Sequence, residues 1–299
     1  MTMEIELKSL SLNYGAQQAL KDISFKMSGE KIYGLLGRNG AGKTSLLSIL
    51  ASFREQTKGS IKIAGEAPFE NAKIMQQVAF IYNKNYKEEK DTVKSALEGI
   101  ARYRPNFDKD YANELANRFK LPFDKQIKHF SKGMQSALNV TIGLACRAPI
   151  TIFDESYLGM DAPTREMFYQ ELLKDQEKHP RMMIVSTHLV SEMDYLFDEI
   201  LILDKGKLLL QEEYDTLVSK GVSVTGRAED VDDFVESMRQ LNVRPLGGMK
   251  SVMVYGEMSE DEQNIANQKG LEIGTISLQD LFIYLTEEGA DSHEKTYLS

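Results

Sequence analysis

The stretch GRNGAGKTSLL, residues 37–47, carries the first chemistry legible in this chain. Gly37, Gly42, Lys43 and Thr44 fill the spacing G-x-x-x-x-G-K-[ST] completely. In a loop of this kind the glycines let backbone N–H groups turn inward around phosphate oxygens, and the following helix presents its positive end. Lys43 reaches the terminal phosphates and the Thr44 hydroxyl coordinates Mg²⁺. The loop alone leaves open phosphorylation of a metabolite, a signalling switch, nucleic-acid processing or driving a transporter.

Four further features follow in fixed order. PITIFDES is an apolar strand ending in Asp154 and Glu155. The first carboxylate suits the Mg²⁺ shell, and the second suits orienting an attacking water. HFSKGMQSAL opens a helix at Ser131 and Gly133, where an N-capping hydroxyl and free backbone N–H groups make either a plain cap or a second anion site. YLGMDAPTRE holds Asp161, a helix cap. MIVSTHLVSEMD places His188 just past a strand, about thirty residues beyond Glu155, within reach of a terminal phosphate. His129, His179 and His293 read as structural.

The elements needed to position these residues are legible as alternation. Strands read at MEIELKSLSLNY, ALKDISFKMSGE, KIYGLLG, GSIKIAG and QVAFIYNK, with a helix from Lys43. Helical spacing fills the span from Thr92 to Arg147. Strand, helix and strand follow, then a hairpin at Lys205-Gly206. Alternating strands and helices imply a mostly parallel sheet, with ligands at the strand-to-helix turns. After residue 220 a second unit begins: GVSVTG strand, DVDDFVESMRQL helix, SVMVYG strand, SEDEQNIANQKG helix, then LEIGTISLQDLFIYLTEE, with GADSHEKTYLS as a frayed tail.

Composition narrows the field. The 299 residues suit one large domain and a small one, and 42% are hydrophobic. A net charge of −9 argues against a protein that coats nucleic acid. Cys146, the single cysteine, allows no internal disulfide and suits a reducing cytosol. No basic stretch precedes an apolar run at the start, so no signal peptide is expected. No run of about 18 apolar residues suggests a membrane span.

Taken together, the set resembles the nucleotide-binding subunit of an ABC transporter. GRNGAGKT resembles the family's Walker A loop, FSKGM its signature motif, TIFDE its Walker B strand, LGMD its D-loop and STH its switch histidine. The resemblance spans about residues 3–218. It implies an α/β P-loop NTPase of ABC ATPase type with an antiparallel β subdomain, a helical subdomain and a small C-terminal α/β module. The corresponding domains are 1–220, with a helical insert at about 84–148, and 221–299. It implies ATP and Mg²⁺ as ligands. The catalytic set is then Glu155, His188 and Lys43. The nucleotide-binding set is Tyr14, which would stack on adenine, with Asn39, Gly40, Ala41, Gly42, Lys43, Thr44, Ser45, Asn83, Asp154, Ser131 and Gly133. Thr44, Asn83 and Asp154 would face the metal.

The resemblance also implies partners. It predicts a head-to-tail dimer with itself or a paralogous subunit, in which Ser131 and Gly133 serve the partner's nucleotide. It predicts a separate transmembrane permease subunit, a place on the cytoplasmic face of the membrane, and no nucleic acid. Three positions depart from the family pattern: Asn83 for glutamine, Met134 for the signature's last glutamine, and Ser156 for proline. DESYLGMDA and SKGM are similar to patterns in Gram-positive exporters of peptides and antimicrobials, the phenol-soluble modulin exporters among them. A soluble ABC ATPase acting on ribosomes or DNA, and a catalytically dead ATP sensor, stand as the competing readings. Phe80, Tyr82, Tyr86, Tyr103 and Tyr111 are expected to supply aromatic anchors for a helix of the membrane subunit.

Overall fold

The computed structural model describes residues 3–84 and 86–291, with side chains through Thr286. It divides into two compact units, residues 1–188 with 195–211, and residues 189–194 with 212–299. His293 and most of the expected tail lie outside the described residues.

In the first unit β1 (Glu4–Tyr14), β2 (Gln17–Ser28), β3 (Ile32–Leu36), α1 (Lys43–Leu50), β4 (Lys58–Ile63), α2 (Ala72–Met75) and β5 (Val78–Tyr82) come first. The helical insert follows as α3 (Val93–Tyr103), α4 (Lys109–Arg118) and α5 (Lys132–Ala145). Then come β6 (Ile150–Asp154), α6 (Ala162–Lys178), β7 (Met182–Thr187), β8 (Glu199–Asp204) and β9 (Lys207–Glu213), whose last two residues enter the second unit.

The main sheet has the order β5-β6-β7-β3-β8-β9. From β5 to β8 the pairs are parallel. Strands β3, β6 and β7 are buried along their whole length, as the unbroken apolar runs IYGLL, ITIFD and MMIVST require of a sheet covered on both faces. β2, β1 and β4 make a separate antiparallel sheet. Its inward residues Ile5, Leu7, Leu20, Ile23, Ile61 and Ile63 share one core with Leu46, Leu47 and Leu50 of α1 and Ile150 and Ile152 of β6. This core seats the loop between β3 and α1 against the strand that ends in Asp154.

The opposite end of the main sheet is fastened by buried charge. Arg181, just before β7, donates to Asp175 Oδ2 of α6 (2.6 Å), Thr151 Oγ1 of β6 (3.2 Å) and the Leu144 carbonyl of α5 (3.4 Å). Arg147 also pairs with Asp175, and its guanidinium lies 4.4 Å from the centre of the Tyr111 ring. Burial pulls the Arg181 pKa down to about 10. Tyr111 is therefore engaged inside the unit and is not available as the partner anchor expected from sequence.

The second unit adds α7 (Tyr214–Ser219), β10 (Gly221–Arg227), α8 (Ala228–Val235), β11 (Arg239–Leu246), β12 (Met249–Tyr255), α9 (Glu260–Gln268), β13 (Glu272–Thr275) and α10 (Leu278–Asp291). From β10 to β13 the order of elements is β-α-β-β-α-β. The sheet order is β11-β12-β10-β13 with every pair antiparallel, the split βαβ arrangement of ferredoxin-like folds. The helix expected over DVDDFVESMRQL stops at Val235, and residues 239–246 form an edge strand that the pattern did not reveal. The division also falls at 211 rather than 220, because α7 packs on β10 and α10 and buries Leu217.

Asp175 neutralises two guanidiniums in a place closed to water. Asp175→Ala is expected to cost about 3–5 kcal/mol, because it leaves buried charge uncompensated. Urea unfolding checks this, and a loss under 1 kcal/mol would show that the cluster does not fasten the sheet.

Candidate active site

The ends of β3, β6 and β7 lie side by side. In register, Leu36 pairs with Thr187 and Asp154 with Ser186. The residues that leave these ends are the loop to α1, Glu155 and His188. This one geometric fact brings together groups more than a hundred residues apart in sequence.

Lys43 is buried at the start of α1, and its ammonium donates to the Gly37 carbonyl (2.7 Å) and lies 3.3 Å from Glu155 Oε1. His188 Nδ1 sits 2.9 Å from the same carboxylate oxygen. Asp154 is buried, accepts from Ser186 Oγ at 2.5 Å and is hydrogen-bonded by the Thr44 side chain. Burial raises the Asp154 pKa, and the two hydroxyl donors work against that rise. Glu155 has φ of 47°, the left-handed region that a residue with a Cβ enters at a cost of about 1–2 kcal/mol. Its carbonyl accepts from Asn83 Nδ2 (3.3 Å) and from the Leu158 N–H (3.1 Å).

The loop between β3 and α1 lines a cleft of about 620 Å³. Asn39, Gly40, Ala41, Gly42, Lys43, Thr44, Ser45, Glu155 and Tyr14 all border it. α1 has Gly42 at its N-cap, with no side chain to occupy the first N–H groups. A Cβ at Gly42 would come within 2.8 Å of Leu20 and 3.0 Å of the Ala19 carbonyl, so the loop presses on β2 where only glycine fits. Tyr14 is part-exposed, its hydroxyl 3.3 Å from Ser45 Oγ, and Arg54 lies 4.5 Å from its ring centre. Gln18, Lys21 and Lys205 also border the cleft. Sequence reasoning missed them, because neither the start of β2 nor the β8–β9 turn carries a motif.

Ser131 and Gly133 lie elsewhere. They line a second cleft, with Met134, Gly159, Asp161 and Thr164, which shares no residue with the first. Ser131 Oγ caps α5 by accepting the Met134 N–H (3.2 Å), and Asp161 caps α6 through the Thr164 N–H (3.0 Å). Gly133 is packed so closely on the Gly159 carbonyl that a Cβ would stand 2.8 Å from it.

Among the anticipated anchors, Tyr86 is buried and donates to Asn139 Oδ1 at 2.5 Å. Phe80 and Tyr82 instead stack at 5.1 Å beside Phe53. Tyr103 is 82% exposed and borders a cleft of about 340 Å³ over α3, with Lys84, Tyr86 and Ile100.

Known proteins are similar to this chain in sequence and fold. The ABC transporter family model matches residues 20–157. The ABC transporter ATP-binding protein YtrB of Bacillus subtilis is 26% identical over 93% of this chain and 97% of its own length. The bacitracin transport ATP-binding protein BcrA of Bacillus licheniformis is 29% identical over 73% of this chain and 72% of its own. A solved ATP-binding subunit of an ABC transporter superposes with a TM-score of 0.63 at 23% identity, covering 78% of this chain and 92% of that one.

The Ser156 hydroxyl is fully buried without a hydrogen-bond partner among the described residues. An unpaired buried hydroxyl is a cost of about 1–3 kcal/mol. Ser156→Ala should therefore raise the thermal midpoint or leave it unchanged. A fall of several degrees would reveal a partner for that oxygen.

Proposed function

We propose, from the premise that this chain is an ATPase carrying the ATP-binding cassette of the ABC transporter family, that Glu155 is its water-orienting base and that its turnover drives export through a separate transmembrane subunit. The observation that carries the reading is the convergence of Lys43 and His188 on Glu155 Oε1 beside buried Asp154. Lys43 and the uncapped start of α1 hold the terminal phosphates. Tyr14 offers the adenine a ring face, Arg54 lying over the ring as well. His188 orients the Glu155 carboxylate and contacts the terminal phosphate.

The donor set fits Mg²⁺. Thr44 and Asp154 supply hard oxygens in hydrogen-bond contact, and Mg²⁺ is ordinarily held by one or two carboxylates and the substrate's phosphates rather than by an all-protein cage. Among the described residues no three His, Cys, Asp or Glu side chains converge as such a cage. Asn83 lies beside Glu155 at the same sheet end and completes the metal-facing set. When bound, the ion would neutralise charge on the phosphates.

The two clefts support a head-to-tail dimer of this chain, or a pair with a paralogous subunit. Ser131 and Gly133 are too far removed from the first cleft to border it, so they are read as serving the nucleotide of the second cassette. No described helix is long and apolar enough to cross a membrane. The likeness to transport ATP-binding proteins supports a substrate path in a separate chain, which would hold this one at the membrane's cytoplasmic face. The likeness to a bacitracin transport protein supports a peptide or lipid-like antimicrobial as cargo. Exposed Tyr103 and the cleft beside it support this face as the seat for a helix of that chain.

Glu155→Gln keeps shape but removes the base. Its ATP turnover should fall by about 10²–10⁴-fold with ATP still bound. Turnover near that of the unaltered chain would remove Glu155 from the role. Tyr103→Ala should yield folded, ATP-binding protein that co-purifies poorly with the transmembrane chain. Undiminished co-purification would move the docking surface elsewhere.

A further inference from the structure

Past the last register pair, Asp154 with Ser186, β6 and β7 part company, and the two groups assigned to the reaction lie on the parting segments. Besides the Glu155–His188 contact, two side-chain hydrogen bonds among the described residues join these segments. One is Ser186 Oγ to Asp154 Oδ1. The other joins Tyr157 OH to Thr187 Oγ1 at 2.5 Å, with both side chains wholly buried. The order along the first segment is Asp154, Glu155, Ser156, Tyr157, and along the second Ser186, Thr187, His188. The Glu155–His188 contact is therefore bracketed on the Glu155 side by two ties, and His188 follows the second tie directly.

The tie has something to hold. Glu155 sits in a left-handed backbone conformation, which persists only where the surroundings over-determine it. A hydroxyl pair closed to water cannot exchange its bond for one to solvent. The Tyr157 ring is also placed by its edge-on packing with Tyr169, at 6.2 Å between centres. The ring position thus does not depend on the hydroxyl, and the hydroxyl is free to fix Thr187.

We propose that Tyr157 and Thr187 are positioning residues that set the geometry between the Glu155 carboxylate and the His188 imidazole through their shared buried hydrogen bond. The proposal rests on the roles given above to Glu155 and His188. Neither residue borders the phosphate-loop cleft. Their effect is on how often base and imidazole stand in the productive arrangement, and so on kcat rather than on nucleotide affinity.

The test compares Tyr157→Phe, Thr187→Val, Thr187→Ser and the double variant Tyr157→Phe/Thr187→Val in the full chain, with steady-state MgATP turnover as readout. Loss of either hydroxyl should lower kcat by about tenfold, as small misplacements of catalytic groups do, while KM for MgATP stays within about twofold. The double variant should be no slower than the slower single one, since both remove the same bond. Thr187→Ser, which restores the hydroxyl, should recover kcat. Tyr157→Phe on the Glu155→Gln background should add no further loss. Unchanged kcat in Tyr157→Phe and Thr187→Val, or parallel loss of kcat and ATP affinity, overturns the proposal while Glu155→Gln stays inactive. Fast turnover by Glu155→Gln alone overturns the assigned role of Glu155, and this proposal with it.

Discussion

Parallel pairing of β3, β7 and β6 is the constraint on which the site depends. Because the three strands run in the same direction, their carboxyl ends lie on one edge, and each loop that leaves there begins within a few ångströms of the next. Leu36 opposite Thr187 fixes where Lys43 can reach, and Asp154 opposite Ser186 fixes where Glu155 and His188 emerge. A slip of one residue in either pairing would turn the alternating side chains to the other face and separate Asp154 from Ser186. The buried runs of these strands, apolar on both faces, hold the register, and the Arg181 cluster anchors the far end.

Charge at the near end is arranged so that no group is isolated. Lys43 is nearly closed to water, and its ammonium is met by a loop carbonyl and by Glu155. Asp154 bears the penalty of burial, which the hydroxyls of Ser186 and Thr44 offset most and the nearby Lys43 charge offsets further. Glu155 is the most exposed of the three charged groups. It is part-exposed, and the partners of its carboxylate, Lys43 and His188, are both groups that a polyphosphate would claim.

How much of this was legible in the sequence follows from the range of each interaction. The phosphate loop, the Asp154–Glu155 strand end and His188 were found because each is a local pattern at an element boundary. Their convergence follows from the fold class, and Lys43 Nζ and His188 Nδ1 stand 3.3 and 2.9 Å from Glu155 Oε1. Tyr157 and Ser186 were quoted within motifs but given no part, because their bonds span 30 and 32 residues and no local pattern announces them. The helix that DVDDFVESMRQL predicts takes in only the first three residues of β11, and the remainder, NVRPL, has no clean alternation and ends in a Pro-Leu pair. As an edge strand it is mostly exposed and needs none. Tyr111 was grouped with possible anchors by proximity in sequence, whereas its place under Arg147 depends on the return of the chain at the end of α5.

The loop that starts at Glu155 is also the one that reaches the second cleft. Ser136 Oγ of α5 donates to the Leu158 carbonyl at 2.6 Å, and Gly159 lies against Gly133 with no room for a methyl group between them. Tyr157 stands between these contacts and the Glu155 end. The segment is short, its ends are both fastened, and its interior is buried at Ser156 and Tyr157. A segment so held has few soft torsions, so a change of backbone angle at Glu155 cannot be absorbed within it. It must appear as movement of Gly159 against the start of α5, or of Thr187 and with it His188. The left-handed conformation at Glu155 is thus held from two sides, and the same few residues that orient the carboxylate fix the distance between the phosphate loop's cleft and the cleft at Ser131.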